Sequence, residues 1–163
     1  MIIKALEQKI EESKIDEAIS IIEEIGENKL KEAVPFLIKE LESTQNHMLR
    51  NSIALALSDI GSSEAMEPII NMLKHPKTKG YRGTLLAALE PFDYSAHFEM
   101  LVDFLYDGNF EVSRKALILI ESIVKEMPDK IIQKSIIKIK KEIENLENKI
   151  DFLSESLDVL TVD

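Results

Sequence analysis

His47, His75 and His97 are the first residues to test for chemistry, because an imidazole can ligate a metal or carry a proton near neutral pH. They lie 28 and 22 residues apart, and no His-x3-His or His-Glu pair sets two ligands on one helix face. There is no cysteine, so thiolate ligands and disulfides are excluded, as a reducing compartment permits. The tetrapeptide "GYRG" around Tyr81 and Arg82 has glycines suited to a phosphate cradle, yet it lacks the lysine and following hydroxyl of a P-loop. Carboxylate pairs such as Glu23 and Glu24 are plentiful, but on an amphipathic helix a charge run is its solvated face. The sequence therefore points to no catalytic residue, no metal and no cofactor.

What remains unusual is the arginine usage. Arg50, Arg82 and Arg114 are the only three, set 32 residues apart among seventeen lysines. Aligning the chain at that shift places Ile53, Ala54, Ala56, Leu57 and Ile60 over Leu85, Leu86, Ala88, Leu89 and Phe92. The spacing i, i+1, i+3, i+4, i+7 is one wide face of an amphipathic helix. Ala18, Ile19, Ile21, Ile22 and Ile25 form an earlier copy. Ala116, Leu117, Leu119, Ile120 and Ile123 form a later one, with Arg114 slipped by one residue against the stripe. Between these helices, "EAVPFLIKELES" and "EAMEPIINMLKH" repeat at the same shift, "HFEMLVDFLYDG" continues the set, and "IIKALEQKI" is a first copy. The unit is helix, short turn, helix. Gly26, Gly61 and Gly108 are expected at helix ends, where a left-handed conformation suits glycine. Ser62 or Ser63 is expected to cap the helix that follows. In the third hairpin Pro91 should break the hydrogen-bond ladder near the end of the second helix.

A self-similar unit of this length defines an α-solenoid, in which stacking buries what no hairpin can bury alone. The pattern "EAVPFLIKELES" followed by "LRNSIALALSDIG" resembles the HEAT-repeat family, especially its short bacterial form, over residues 2–125 as four hairpins. Neither the tryptophan-leucine-glycine start of tetratricopeptide repeats nor the "TPLH" box of ankyrin repeats occurs. The resemblance implies an arginine that opens the second helix and bonds an acidic residue in the preceding turn. Six residues before Arg50 and Arg82 stand Thr44 and Pro76, so here the arginines are expected to bond helix ends instead. The organisation expected is all-α and a single domain overall, with HEAT-like repeats over 1–128 and a capping or coiled-coil helix over 129–163.

With a net charge of -10 and a pI near 4.9, the molecule repels nucleic acid and anionic membranes and favours a basic protein partner. No run of 18 apolar residues is present, and the N-terminal "MIIKALEQKIEESK" has no signal-peptide core. A cytoplasmic, non-enzymatic scaffold is the expectation, binding a protein on the concave face of the stacked second helices. On that face Leu55, Ala87 and Ile118 are expected to line up, with Asn51, Gly83 and Arg114 also turned outward and Glu23, Glu24, Asp59, Glu90 and Glu121 as an acidic rim. A second reading is an immunity or antitoxin-type inhibitor of a basic toxin. A third, an accessory lyase or repair enzyme of the helical-repeat type, lacks the basic channel that a DNA substrate would need.

The segment from Pro128 breaks the repeat. Ile132, Ile136, Ile139, Ile143, Leu146, Ile150, Leu153, Leu157 and Leu160 alternate steps of four and three, a heptad seam. One helix is predicted from Asp129 to Leu160, with Ile131 and Ile137 widening its stripe where it closes the solenoid core. Beyond Ile139 the seam suits one partner helix, and a homodimer symmetric about Leu146 would set Ile139 against Leu153 and Glu142 against Lys149. It would also bring Glu144 near Asp151. The competing expectation is a bend near Asn145 or Asn148 that returns the helix to its own repeats. Thermal unfolding followed by helical circular dichroism is expected to be unchanged by a chelator; a midpoint lowered by several degrees would expose a metal the sequence does not announce.

Overall fold

The structure, a computed structural model, describes residues 1–161. The described residues are all-α. Four helical hairpins follow one another, α1 (Ile2–Glu11) with α2 (Ile15–Glu27), α3 (Val34–Ser43) with α4 (His47–Ile60), α5 (Met66–Lys74) with α6 (Gly83–Ala87), and α7 (Phe98–Asp103) with α8 (Phe110–Ile123). The helix α9 (Asp129–Leu160) runs unbroken after them. Short 3-10 turns at Lys31–Ala33, Ser63–Ala65 and Ser95–His97 lead into α3, α5 and α7. Their starting residues fall 32 apart, so the interval seen in the arginines is the interval of the architecture.

The second helices form one layer, α2 against α4, α4 against α6 and α6 against α8, while each first helix packs on its own partner. The core lies between the layers and is built from Ile22, Ile25, Leu37, Ile53, Leu57, Ile69, Leu86, Leu101 and Leu119, all essentially inaccessible. Two of the local start signals are asparagines. Asn46 accepts from the backbone N–H groups of Met48 at 2.9 Å and Leu49 at 3.0 Å, and Asn109 accepts from Val112 N–H at 2.9 Å. These bonds satisfy donors that open α4 and α8.

Several sequence expectations are corrected. Ser62 and Ser63 make no side-chain cap; the Ser62 carbonyl instead accepts from Ala65 N–H in the 3-10 turn. Of the three glycines, only Gly61 is left-handed at a helix end. Ser13 after α1 and Lys29 after α2 take that conformation without being glycine. Gly26 lies inside α2, where a Cβ would stand 2.9 Å from the Ala56 Cα; the missing side chain is what lets α2 and α4 approach. In the third hairpin α6 stops at Ala87, four residues before Pro91. Proline has no N–H to continue the ladder and disfavours helix at the residue before it, so Glu90 N–H turns early to the Ala87 carbonyl. Tyr94 restores order beyond the break, its buried hydroxyl donating to the Leu119 carbonyl at 3.1 Å.

The stripe on α8 also differs. Val112, Ala116, Leu119 and Ile120 are buried, whereas Leu117 is exposed. No further second helix stacks on α8 among the described residues, so its far flank stays open. On α9, Ile131, Ile132 and Ile139 pack on the core while Ile137 points to solvent. Lys134 holds the Glu99 carboxylate at 2.7 and 2.9 Å, and Lys138 pairs with Asp103. That hydrogen bond raises the Lys138 pKa above the ordinary lysine value, against burial. Replacing Gly26 by Ala should destabilise the protein by about 1–2 kcal/mol in urea unfolding. Overpacking against Ala56 outweighs the roughly 1 kcal/mol that alanine gains in helix propensity.

Candidate functional site: the cleft between the second helices and the free face of the long helix

α2 and α4 meet closely at Gly26 and Ala56. They leave a cleft of about 250 Å³ lined by Glu23, Glu27, Ser52, Leu55, Ala56 and Asp59. Leu55 is 44% exposed at its floor, and an Asp59 carboxylate oxygen lies 3.3 Å from where a Gly26 Cβ would be. Glu23, Glu27 and Asp59 have no cationic partner among the described residues. They are also not gathered into a set that could hold a metal ion. The result is an apolar spot inside a negative rim that carries no ion pair among the described residues.

The structure brings together Glu23, Leu55 and Asp59 from the expected face, and adds Glu27. Position 27 is one helical turn beyond Glu23 and was legible by that rule alone. Glu24 is exposed but outside the cleft, as are Glu90 and Glu121. Ala87 is half-buried on the shortened α6, and Ile118 is 43% exposed on α8. Neither Ala87 nor Ile118 lines the cleft around Leu55. Two neighbours do not turn outward: Gly83 is buried beneath the Glu111 side chain, and Asn51 is half-buried with an unpartnered Oδ1.

The three arginines have separate surroundings. Arg50 is 1% exposed and donates to the Thr44 carbonyl at 2.7 Å, at the C-terminal end of α3. Lys77, from the next hairpin, reaches the Glu42 carbonyl and, at 3.4 Å, the same Thr44 carbonyl. Two cations thus meet the negative end of a helix that has no basic residue in its own last turn. Burial, and after it the Arg50 charge, lowers the Lys77 pKa; burial alone lowers that of Arg50. Arg82 is half-buried, its guanidinium 5.3 Å from the centre of the Phe104 ring and at the limit of bonding to Thr78 and His75. It borders a cavity of about 380 Å³ that also takes in Lys79, Tyr106, Asp107 and Asn109. Hydrophobic periodicity gave no sign of this cavity, because it is built from turns. Arg114 departs from the pattern. It is exposed and makes no hydrogen bond or ion pair with a described residue, because the one-residue slip carries it off the buried stripe. Tyr81 stacks on His47 with ring centres 4.3 Å apart, and His97 bonds Glu67 at 2.8 Å.

The second unpartnered surface is on α9. Ile139 is half-buried, but Ile143, Leu146, Ile150, Leu153 and Leu157 are 50–61% exposed. No bend at Asn145 or Asn148 interrupts the helix. α9 is not apolar enough to span a membrane, nor is any other helix of the described residues.

Helical hairpins stacked in two layers, with a repeated 3-10 entry and a continuous shared core, define an α-solenoid. A family described as HEAT repeats matches residues 3–90, more than half of the chain, and the chain belongs to that family. No curated protein and no solved structure matches it. HEAT repeats are commonly protein-interaction scaffolds and are typically non-enzymatic. Substituting Arg50 by Lys should cost about 2 kcal/mol in urea unfolding, because a buried ammonium cannot reproduce the reach and planar donors of guanidinium at the end of α3.

Proposed function

We propose that the protein is a non-enzymatic scaffold that binds a protein with a basic surface on the face formed by α2 and α4. The observation that carries this reading is the cleft around Leu55, where an exposed apolar side chain sits among three carboxylates with no cationic partner among the described residues. A protruding apolar side chain flanked by lysine or arginine would bury Leu55 and exchange the hydration of the carboxylates for ion pairs. The net charge of -10 adds long-range attraction for such a partner. Ile118, with Glu121 beside it, extends the same kind of surface farther along the layer.

An inhibitor of a basic toxin would use the same cleft and differ in having one dominant, tightly held partner. The geometry favours neither lyase nor repair chemistry, since the rim of the cleft is acidic and no histidine lines it.

A photo-crosslinking residue at position 55 or 118, introduced in the native cell, should capture a basic protein, and capture should fall when Glu23, Glu27 and Asp59 are neutralised together. The same residue at Lys39, exposed on the outer layer, should not capture it. Equal capture from Lys39, or capture indifferent to the carboxylates, would sink the reading.

A further inference from the structure

The outer half of α9 carries an apolar stripe that no described residue covers, and the inner half of the same helix borders an apolar cavity of about 140 Å³. Phe98, Val102 and Ile120 from the repeats and Ile132, Ile136 and Ile139 from α9 form its walls. We propose that a second copy of this chain covers both surfaces. Two α9 helices pair antiparallel, each laying its outer half along the inner half of the other and over the cavity beside it.

The register follows from the seam. Antiparallel heptads interdigitate when a residue that begins a three-residue step meets one that ends it. With the twofold axis between Glu144 and Asn145, Ile143 meets Leu146, Ile139 meets Ile150 and Ile136 meets Leu153 of the second copy. At this register Glu142 faces Lys149 on one edge of the seam and Lys140 faces Glu147 on the other. Symmetry doubles both attractions, and no like-charged pair flanks the seam. A parallel pair would instead set Glu142 beside Glu147 twice. The axis at Leu146 expected from the sequence put like heptad positions together and Glu144 near Asp151; a shift of the axis toward the N-terminus removes that conflict and keeps Glu142 on Lys149.

Charge along the helix points to the same occupant. From Lys130 to Lys141 the charged residues of α9 are all lysines, and from Glu142 to Asp158 all are acidic except Lys149. Only an antiparallel copy sets the acidic half of one helix beside the basic half of the other along the whole overlap. It also relieves the carboxylates that oppose the dipole at the C-terminal end of α9. Ser135 is buried toward the repeats and stands on one edge of the seam. Phe152 and Val159, 66% and 76% exposed, stand on the same edge. Like edges meet in an antiparallel pair, so Phe152 and Val159 of the second copy arrive level with the cavity. Their exposure in a single chain has no other account in the structure.

Sedimentation velocity on the full chain at tens of micromolar should show a dimer. Ile150→Asp should weaken it at least about a hundredfold, because the carboxylate would be buried without a partner. Glu147→Lys and Lys140→Glu should each weaken it about tenfold, since each reverses two symmetry-related pairs, and the double variant should recover the parent affinity. Neither charge variant alters an apolar contact, so loss of fold cannot stand in for loss of pairing. A monomeric parent protein overturns the proposal. So does a dimer indifferent to Ile150→Asp, which places the interface on the repeats, or a double charge variant that fails to recover, which removes the antiparallel register.

Discussion

Each hairpin of this protein presents more apolar surface than its own two helices can cover, and every larger feature of the structure answers that excess. Ile22 and Ile25 on α2 are inaccessible because α4 lies across them, and Ile53 and Leu57 on α4 are inaccessible because α3 and α6 do the same. The close approach at Gly26 and Ala56 shows how far the chain goes to bring neighbouring second helices together. Burial by neighbours rather than by local structure is the physical content of a solenoid. It also explains the open surfaces, since among the described residues no second helix covers the far flank of α8.

The polar groups answer to the same stacking. α3 ends without a basic residue of its own, and the carbonyls there are met by Arg50 from the same hairpin and Lys77 from the following one. A helix end in one repeat is therefore completed by a side chain of the next. The ion pairs of Lys134 with Glu99 and Lys138 with Asp103 tie α9 to α7 through side chains. Among the carboxylates with no cationic partner in the described residues, Glu23, Glu27 and Asp59 collect on the layer of second helices.

How much of this was legible depended on whether a signal was periodic or local. The 32-residue repeat, the paired helices and the whole of α9 follow from hydrophobic spacing, and α9 could be bounded because Pro128 starts it and no glycine or proline interrupts it. The cleft was legible through Leu55 and Asp59, whose outward direction follows from the buried positions between them. What escaped was set by neighbours in space. Gly26 reads as a helix stop until Ala56 is seen beside it, Leu117 reads as core until the open far flank of α8 is seen, and the left-handed Lys29 has no sequence marker at all. The cavity beside Arg82 joins two turns 28 residues apart, from Lys79 to Asp107, and no periodic pattern records such a meeting.

The early end of α6 has a consequence for how the array comes apart. In a linear stack the stability of each boundary is a nearest-neighbour quantity, and a helix of five residues presents less surface to α4 and α8 than those longer helices present elsewhere. The third hairpin is then the weakest link in the chain of cooperativity. The amides of 76–97 should be the first in the repeats to exchange with solvent, while the blocks on either side stay closed. The short α6 thus marks the place in the stack where local opening should begin.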